Sequence, residues 1–523
     1  MEFKLFKDIS KSDVGKKFSL RGKIETVKQT SGPTLMIFND GTQNFTFKAF
    51  KAPGERAYPE ADVGDFVEVK AQINERNGGI EGEIFALRKL DKKDLANFSK
   101  KIDDIRKSKA KPTNTTFTIK SKALEALKPR FIEVATIIKA AILDGRPILL
   151  RHNADTDGYS SAITIERAIL AFMDEVSGGD QLLRYQNYRR APSKAPFYEY
   201  EDAAKDVAYY LRDKIKNNAE KPPLIVITDN GSTDEDILSI KQMKMYECPI
   251  VVVDHHFPGE IKDGKVEVDK YIDAHINPYL EGFDSNVTAG MLGYELANFI
   301  YPKNKNQVFI PAMAGIIDHS ECPELDQYLE LAKKEGYTLE HMKIYGEIID
   351  MQSFYIRFNE SREFVDTLFE ADLNAQKDFV KMLEPELKRR YEAVYEVAKH
   401  YSEKQDFGPF YLMLFNGEYG TYRGEYPAIG KSTNHIHAQF EKELDKPVIT
   451  ATFGSTFLTI RASDAVKEIS IPDFAKNTAK KMTYANADGG GHERAGSIKF
   501  VEYARDDIVK AFKNYLKDLA KKN

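Results

Sequence analysis

Three short apolar runs, at residues 148–150, 224–228 and 249–253, are rich in Ile, Leu and Val and end at polar turns. Such runs are typical of parallel strands that are buried on both faces. Acidic and imidazole side chains follow them directly: His152, Asp155, Asp157, Asp229, Asp254, His255 and His256. Because ligands bind at the carboxyl ends of strands in an open parallel sheet, the sequence predicts one polar cluster at one sheet edge.

Carboxylates packed together repel one another, so such clusters usually hold cations. A mixed set of Asp and His suits Mn²⁺, or Mg²⁺ with fewer imidazoles, better than a metal that prefers thiolates. Two ions of this kind stabilise the in-line displacement of a phosphodiester and lower the pKa of an attacking water. The pattern therefore predicts a metal-dependent hydrolase.

The same residues resemble, in the same order, the four motifs of the DHH phosphoesterases: His152-x-x-Asp-x-Asp-Gly158, Asp229-Asn-Gly231, Asp254-His-His256 and Gly315-Ile-Ile-Asp318. Gly489-Gly-Gly-His492 resembles the glycine-rich signature of the accessory C-terminal domain of that family. Within the family the chain is most similar to the archaeal RecJ-like nucleases.

The motifs supply candidate site residues. We expect metal ligation by His152, Asp155, Asp157, Asp229, His255 and Asp318, with Asp229 bridging two Mn²⁺ ions. His256 would support a ligand or contact the phosphate, and it joins Asp155, Asp157, Asp229 and His255 in the predicted catalytic set. Consecutive glycines let backbone N–H groups approach a phosphate, and charged side chains would add contacts. The predicted substrate-binding residues are Arg461, Gly489, Gly490, Gly491 and His492.

Residues 1–90 alternate in the manner of a small antiparallel barrel. The predicted strands are Phe18–Lys28, Thr34–Asn39, Phe45–Phe50, Phe66–Asn74 and Ile80–Leu90, separated by turn residues. Five short strands predict an OB-fold, a fold that stacks bases of single strands on aromatic residues over a basic groove. The candidate nucleic-acid contacts are Lys23, Lys28, Phe45, Phe47, Lys48 and Tyr58. Against this, alternate aromatic residues on a strand more often belong to a barrel core.

The expected fold class is multidomain. It comprises an OB-fold (1–90), a basic connector (91–130), an α/β parallel-sheet catalytic domain (131–320), a helical region with a connector helix (321–405) and a C-terminal mixed α/β domain (406–523). The connector helix is predicted at Glu384–Glu403, and later strands at Tyr411–Phe415, Val448–Phe453 and Thr456–Ile460.

The connector is basic inside an acidic chain. Residues 88–130 contain 14 Lys and Arg against 5 Asp and Glu, whereas the whole chain has a net charge of −5. This excess indicates a polyanionic partner or a solvated linker. Residues Lys107 to Asn114 are predicted to be irregular.

The chain has two cysteines and no apolar stretch of the ~20 residues that a membrane helix needs. We therefore expect a cytoplasmic protein with no disulfide framework, no zinc site and no membrane contact. The resemblance implies a metal-dependent exonuclease on single-stranded DNA or RNA, in replication, repair or RNA processing. One alternative is a phosphodiesterase acting on oligoribonucleotides or cyclic dinucleotides. Another is a replisome scaffold, for which the resemblance implies a partner such as GINS.

Overall fold

The computed structural model describes residues 3–76, 79–177, 179, 184, 187–193, 195–217, 221–356, 363–420 and 424–522. The chain forms two compact units. One comprises Met1–Glu347 and Arg357–Glu370, and the other comprises Ile348–Ile356 and Ala371–Asn523. No helix within the described ranges is both long and apolar enough to cross a membrane.

The first five strands close into a barrel, as the alternating pattern predicted. Their bounds are β1 (Lys17–Gln29), β2 (Thr34–Asn39), β3 (Asn44–Ala49), β4 (Phe66–Arg76) and β5 (Gly79–Lys89). The order around the barrel is β1-β2-β3-β5-β4, with β3 and β5 parallel and the other pairs antiparallel. Every predicted strand end lies within about two residues of the observed end, which is the usual uncertainty of such boundaries.

The prediction that Phe45 and Phe47 stack on nucleobases is wrong, because both rings fill the barrel interior. Phe45 is 3% exposed and Phe47 is 0% exposed, and Phe47 stacks on Phe38 with ring centroids 4.7 Å apart. Alternation along a strand separates two faces but does not say which face is inside. Here the face of β3 that carries the rings is the inner one.

The other candidate nucleic-acid contacts lie at the barrel surface. Lys48 and Lys23 each have a glutamate neighbour, at 2.9 and 3.6 Å. Tyr58 is half-buried against the barrel core and has a φ of 53°. Lys28 is half-buried near the end of β1. Lys48 and Lys23 therefore already have carboxylate partners within the protein.

The basic connector contains a long helix. Helix α1 (Lys92–Ala110) begins at Asp91, whose side chain accepts hydrogen bonds from the next backbone N–H groups and caps it. The helix buries Ile102, Arg106 and Ala110, and this spacing of four places them on one face. The stretch predicted to be irregular is therefore helical as far as Ala110.

The outer face of β2 and β3 is covered by the rest of this unit. Leu35 and Ile37 alternate with core residues and so point away from the barrel interior, yet they are only 9% and 4% exposed. Asn39 and Asn44 donate side-chain hydrogen bonds to carbonyls at the end of α2 (Lys122–Leu143), at 2.9 and 3.4 Å. OB-folds commonly bind oligonucleotides on this face, but here it forms an internal contact.

One buried carboxylate joins the barrel to the rest of the unit. Glu25, on β1, is 1% exposed. It accepts hydrogen bonds from Arg106 of α1 and from Lys221, which lies just before the central-sheet strand that begins at Leu224. A carboxylate removed from water needs paired charges and hydrogen bonds. Glu25 therefore links β1, α1 and the chain segment before Leu224 through ion pairs.

The central sheet is fully parallel. Its strands are β6 (Ile148–His152), β7 (Tyr188–Pro192), β8 (Leu224–Thr228), β9 (Ile250–Val253) and β10 (Ala274–Ile276), in the order β10-β9-β8-β6-β7. All residues of β6, β8 and β9 are buried, which explains their continuous apolar sequences. Because these three strands are neighbours, their carboxyl ends meet at one edge.

Helices surround and follow the sheet: α3 (Thr156–Ser177), α4 (Tyr200–Asn217), α5 (Ile237–Met245), α6 (Ala289–Ile300), α7 (Phe309–Ile317), α8 (Pro323–Lys334), α9 (Leu339–Ile356) and α10 (Glu363–Glu370). The end of α9 belongs to the second unit. This alternation of strands and helices is the α/β architecture that the sequence predicted.

The second unit has a six-stranded mixed sheet in the order β11-β12-β13-β14-β16-β15. Its elements are α11 (Leu373–Tyr401), β11 (Glu403–Asp406), β12 (Tyr411–Asn416), α12 (Ile429–Glu443), β13 (Val448–Phe453), β14 (Phe457–Ala462), α13 (Ile471–Lys481), β15 (Asp488–His492), β16 (Ala495–Lys499) and α14 (Arg505–Ala520). The predicted connector helix begins earlier than expected, because Asp372 caps α11 and the helix continues through Pro385.

Replacing Glu25 by glutamine is expected to lower the free energy of unfolding by roughly 3 kcal/mol, because Lys221 would lose its carboxylate partner and Arg106 would keep only Asp144, at 2.8 Å, within the described part of the chain. Urea unfolding followed by circular dichroism measures this change. The control is Glu60→Gln, at an exposed position of the same barrel, which should change stability by less than about 0.5 kcal/mol. Equal stability of the two variants would show that the junction does not depend on Glu25.

Candidate active site

The structure brings five of the predicted side chains together at the carboxyl edge of the central sheet. Asp157 lies in the first turn of α3, directly after β6, and Asp229 follows β8. His255 and His256 follow β9, and Asp318 follows the end of α7. The chain thus gathers residues from four separate segments at one place.

His255 lies at the centre of this cluster. Its Nε2 is 3.6 Å from Asp157 Oδ2 and 3.4 Å from Asp229 Oδ1, and its Nδ1 is 3.8 Å from Asp318 Oδ2. The Nδ1–H group donates a hydrogen bond to the carbonyl of Ser285 (2.7 Å). This bond fixes the ring and turns Nε2 toward two carboxylates, as a metal-ligating imidazole requires.

Two groups of potential ligand atoms share His255. One contains Asp229, His255 and His256, and the other contains Asp157, His255 and Asp318; within each group the ligand atoms lie within 4.8 Å of one another. The Oδ2 atom of Asp229 is buried with no hydrogen-bond partner among the described residues. An unpaired buried carboxylate oxygen is costly, and a bound cation would satisfy it. This donor set of carboxylates and imidazoles fits a divalent metal.

The ionisation of the cluster also favours a bound cation. Burial and the carboxylate of Asp229 raise the pKa of Asp157 to about 8. Burial alone would lower the pKa of His255, but Asp318, Asp229 and Asp157 together raise it well above its usual value. Without a metal the cluster therefore favours bound protons. A divalent cation would compete with those protons for the same oxygen and nitrogen atoms.

Asp157 is held by the beginning of a helix. Its two carboxylate oxygens accept hydrogen bonds from the backbone N–H groups of Ala289 (3.0 Å) and Gly290 (2.8 Å), the first residues of α6. A helix N-terminus favours an anion through its free N–H groups and its dipole. A Cβ on residue 290 would lie 2.4 Å from the Cβ of Ala314 and 2.9 Å from Asp157 Oδ1. Glycine is therefore required there, a constraint that the sequence alone did not reveal.

Asp229 has an unusual backbone conformation, with a φ of 57°. Its N–H donates to the carbonyl of Val253 (3.0 Å), so the ends of β8 and β9 are linked where the site begins. A Cβ on Gly158 would lie 2.3 Å from the carbonyl oxygen of Asn153 and 2.9 Å from Asp229 Oδ2. The glycine that follows the Asp-x-Asp pair thus leaves room for Asp229. Strained residues of this kind cluster at functional sites.

A chain of hydrogen bonds supports His256. Asp254 Oδ1 lies 2.8 Å from His256 Nδ1, and Asp254 Oδ2 accepts from the N–H of Ser232 (3.2 Å). The Ser232 hydroxyl lies 2.9 Å from His275 Nε2, and Nδ1 of that ring lies 2.8 Å from Asp269 Oδ1. Although burial opposes it, Asp254 raises the pKa of His256 to about 9. The role of Ser232 and Asp269 was not predicted, because neither residue belongs to a motif.

Two predicted ligands lie outside both groups. Asp155 caps α3, with Oδ1 accepting from the N–H of Gly158 (2.9 Å) and Oδ2 accepting from the side-chain amide of Asn153 (2.6 Å). His152 is 0% exposed, and its Nε2 lies 3.5 Å from a guanidinium nitrogen of Arg190. In this structure both side chains face protein groups rather than the donor cluster.

The predicted substrate-binding residues lie in the second unit. Arg461, on β14, donates to the side-chain oxygen of Asn434 and to the carbonyl of Ile460 (2.8 Å). Burial lowers its pKa to about 10, and it forms no ion pair with any residue in the described part of the chain. A guanidinium in such surroundings favours an anionic ligand.

The glycine run lies within β15. Gly489, Gly490 and Gly491 pair with Ile498, Ser497 and Gly496 of β16, and β15 is the last strand of its sheet. Glycine disfavours strands in general, but in a strand it marks a place where backbones approach closely. The side chain of His492 lies outside the described part of the structure.

The carboxylates and imidazoles at the strand ends of this parallel sheet fit a divalent metal. Residues 148–319 match the DHH family, N-terminal domain. The chain is 38% identical to an uncharacterized protein, MJ1198, of Methanocaldococcus jannaschii, and the match covers 96% of this chain and 69% of that protein. The chain therefore belongs to the DHH family and is a hydrolase of phosphoester bonds.

Solved structures agree with this assignment. The DHH domain of PF0399, described as a member of the S1p family of ribosomal proteins, is 36% identical with a TM-score of 0.76, covering 81% of this chain and 99% of that one. RecJ from Thermus thermophilus in complex with Mn²⁺ is 14% identical with a TM-score of 0.51, covering 79% of this chain and 56% of that one. The second likeness shows that the fold is RecJ-like.

Replacing Asp229 by asparagine is expected to weaken Mn²⁺ binding by more than about 100-fold, because loss of a supporting partner alone costs 10- to 100-fold. Calorimetric titration measures the affinity and the number of ions bound. Asp157→Asn should weaken binding similarly, because an amide NH2 group can neither bind a cation nor accept a hydrogen bond. Asp104→Asn, exposed on α1, is the control. Affinity of Asp229→Asn within tenfold of wild type would contradict the metal assignment.

Asp254→Asn removes the charge that orients His256 while keeping the shape of the side chain. Metal affinity should fall about 10- to 100-fold, because Asp254 Oδ1 also accepts a hydrogen bond from the backbone N–H of the proposed ligand His255 (2.8 Å), and losing a carboxylate that supports a ligating imidazole usually has this effect. The titration used for Asp229 measures this change as well. An affinity equal to wild type would mean that the hydrogen-bond chain from Asp269 to His256 has no influence on the metal.

Proposed function

We propose that this protein is a metal-dependent exonuclease that hydrolyses phosphodiester bonds of single-stranded DNA or RNA. One observation carries the proposal: two groups of ligand atoms share His255 at a sheet edge, within a DHH-family domain. Sites that hold two neighbouring divalent ions are typical of nucleases and phosphatases. Mn²⁺ is the proposed cofactor, with Mg²⁺ as a substitute, because both accept carboxylate oxygens.

Each side chain has a separate task in this proposal. Asp157, Asp229, His255 and Asp318 hold the ions. When bound, the ions polarise the phosphodiester and lower the pKa of an attacking water. His256 is protonated at neutral pH because of Asp254, so it can donate a hydrogen bond from Nε2 to a phosphate oxygen. The first N–H groups of α6 keep Asp157 in place throughout.

Features of the second unit support a phosphate-containing substrate. The buried guanidinium of Arg461 lacks a carboxylate partner in the described chain, so a phosphate would complete its surroundings. The glycines of β15 expose backbone N–H groups on the last strand of the sheet. His492 remains a proposed phosphate contact on the basis of its motif. A replication partner such as GINS also remains a proposal.

One observation favours a second candidate, a phosphodiesterase acting on oligoribonucleotides or cyclic dinucleotides. The barrel was expected to bind long strands, but its β2–β3 face is covered, with Leu35 and Ile37 buried. A dinucleotide needs no extended track, so the covered face removes one argument against this alternative. The basic surface of α1 still favours a longer polyanion.

Digestion of matched single-stranded DNA and RNA, labelled at either end, tests the proposal. With Mn²⁺ or Mg²⁺ we expect stepwise release of mononucleotides, and none with a chelator. Asp157→Ala and Asp229→Ala should each reduce the rate by more than about 1,000-fold, because the ions supply several kcal/mol of transition-state stabilisation.

Dinucleotides and cyclic dinucleotides are assayed in parallel. Cleavage of these substrates alone would favour the second candidate over the exonuclease. Absence of any hydrolysis, or a rate for Asp229→Ala within tenfold of wild type, would show that the proposed function is wrong. Asp104→Asn serves again as the variant that should retain full activity.

A further inference from the structure

An exposed aromatic residue follows the histidines of the donor cluster directly in the chain. Phe257 follows His256 in the chain and is 52% exposed. Single exposed apolar residues are common on protein surfaces, but this one is joined directly to a residue of the site. Its exposed surface is therefore available to a ligand.

The ring is held in place from one side. Tyr279 packs edge-on against Phe257, with ring centroids 5.3 Å apart and planes at 78°. Tyr279 belongs to a short turn, Pro278–Glu281, which Asn277 caps through the N–H of Tyr279 (3.0 Å). The Asn277 side chain also donates to the carbonyl of His256 (2.9 Å). A hydrogen bond and a ring contact thus connect the turn to the chain segment that carries His256 and Phe257.

A second ring lies on the segment that supports the other imidazole. Phe283 is 36% exposed, and its N–H donates to the carbonyl of Pro278 (3.1 Å) in the same turn. Two residues later, the carbonyl of Ser285 accepts the hydrogen bond from His255 Nδ1. Exposed aromatic side chains therefore lie on the chain segments that carry or support the two imidazoles.

We propose that Phe257 is a base-stacking subsite, which receives the nucleobase of the nucleotide whose phosphodiester lies at the metal cluster. This inference rests on the proposed function. Carboxylates and imidazoles recognise a phosphodiester but nothing of a base. An exposed aromatic face supplies that second contact, and it accepts every base because each has a π-face. The edge-on contact with Tyr279 orients the ring without covering both of its faces.

The test compares substrates that differ only in a base. Dinucleotides with either base replaced by an abasic sugar are hydrolysed alongside the intact dinucleotide, by wild type and by Phe257→Ala. For the intact dinucleotide kcat/KM should fall about tenfold, the effect of losing one stacked base. One of the two abasic dinucleotides should already be a poor substrate for wild type. For that substrate, kcat/KM of Phe257→Ala should lie within about twofold of the wild-type value, because there is no stacked base to lose.

Further variants separate a ring effect from a folding effect. Phe257→Tyr keeps the ring and should retain the preference for the intact dinucleotide, whereas Phe257→Leu keeps only apolar bulk and should lose it. Phe85→Ala, which removes a 51% exposed ring on the barrel, is the matched control and should leave both substrates unaffected. Mn²⁺ affinity should be unchanged in all four variants.

The outcomes distinguish this inference from the proposed function. Equal losses on intact and abasic substrates, or an unchanged preference in Phe257→Leu, would overturn the stacking subsite while the nuclease assignment stands. If wild type cleaves neither dinucleotides nor strands, the proposed function itself is wrong, and the stacking subsite falls with it.

Discussion

Asp157 and Asp229 are held close to the same imidazole and away from water, although buried carboxylates repel one another. The first amides of α6, the left-handed backbone of Asp229 and the glycine at position 158 all serve to keep them there. Without a metal, protons held by Asp157 and His255 balance this charge near neutral pH, because the pKa of each group is raised. A divalent cation balances it with the donor atoms already in place, which is why the whole sheet edge is consistent with metal-dependent phosphoester hydrolysis.

Much of this arrangement could be predicted from the sequence. Strands buried on both faces have continuous apolar sequences, and the barrel strands alternate, so both kinds of sheet were recognised with accurate bounds. Asp157, Asp229 and His255 were also found, because parallel neighbours bring their carboxyl ends together. The supports were not found. Gly290 and Ser232 act through backbone N–H groups and packing, and nothing in their local sequence marks them.

The errors have physical reasons as well. Phe45 and Phe47 were named as candidate base contacts, with the barrel core as the alternative, because alternation does not distinguish inside from outside. The connector was expected to be partly irregular, since its charges obscure the buried stripe of Ile102, Arg106 and Ala110. Strand β15 was not predicted, because pairing with β16 overrides the low strand propensity of its glycines. In each case a tertiary contact decided between two local alternatives.

Glu25 gives the barrel junction a distinct dependence on temperature. The cost of removing charged groups from water falls as temperature rises, whereas hydrophobic stabilisation reaches a plateau. The contribution of the ion pairs of Glu25 with Arg106 and Lys221 to stability therefore increases, relative to that of the surrounding apolar contacts, as the temperature rises. Heat should loosen the exposed loops long before it separates the barrel from the sheet, so the two parts are expected to melt as one cooperative body.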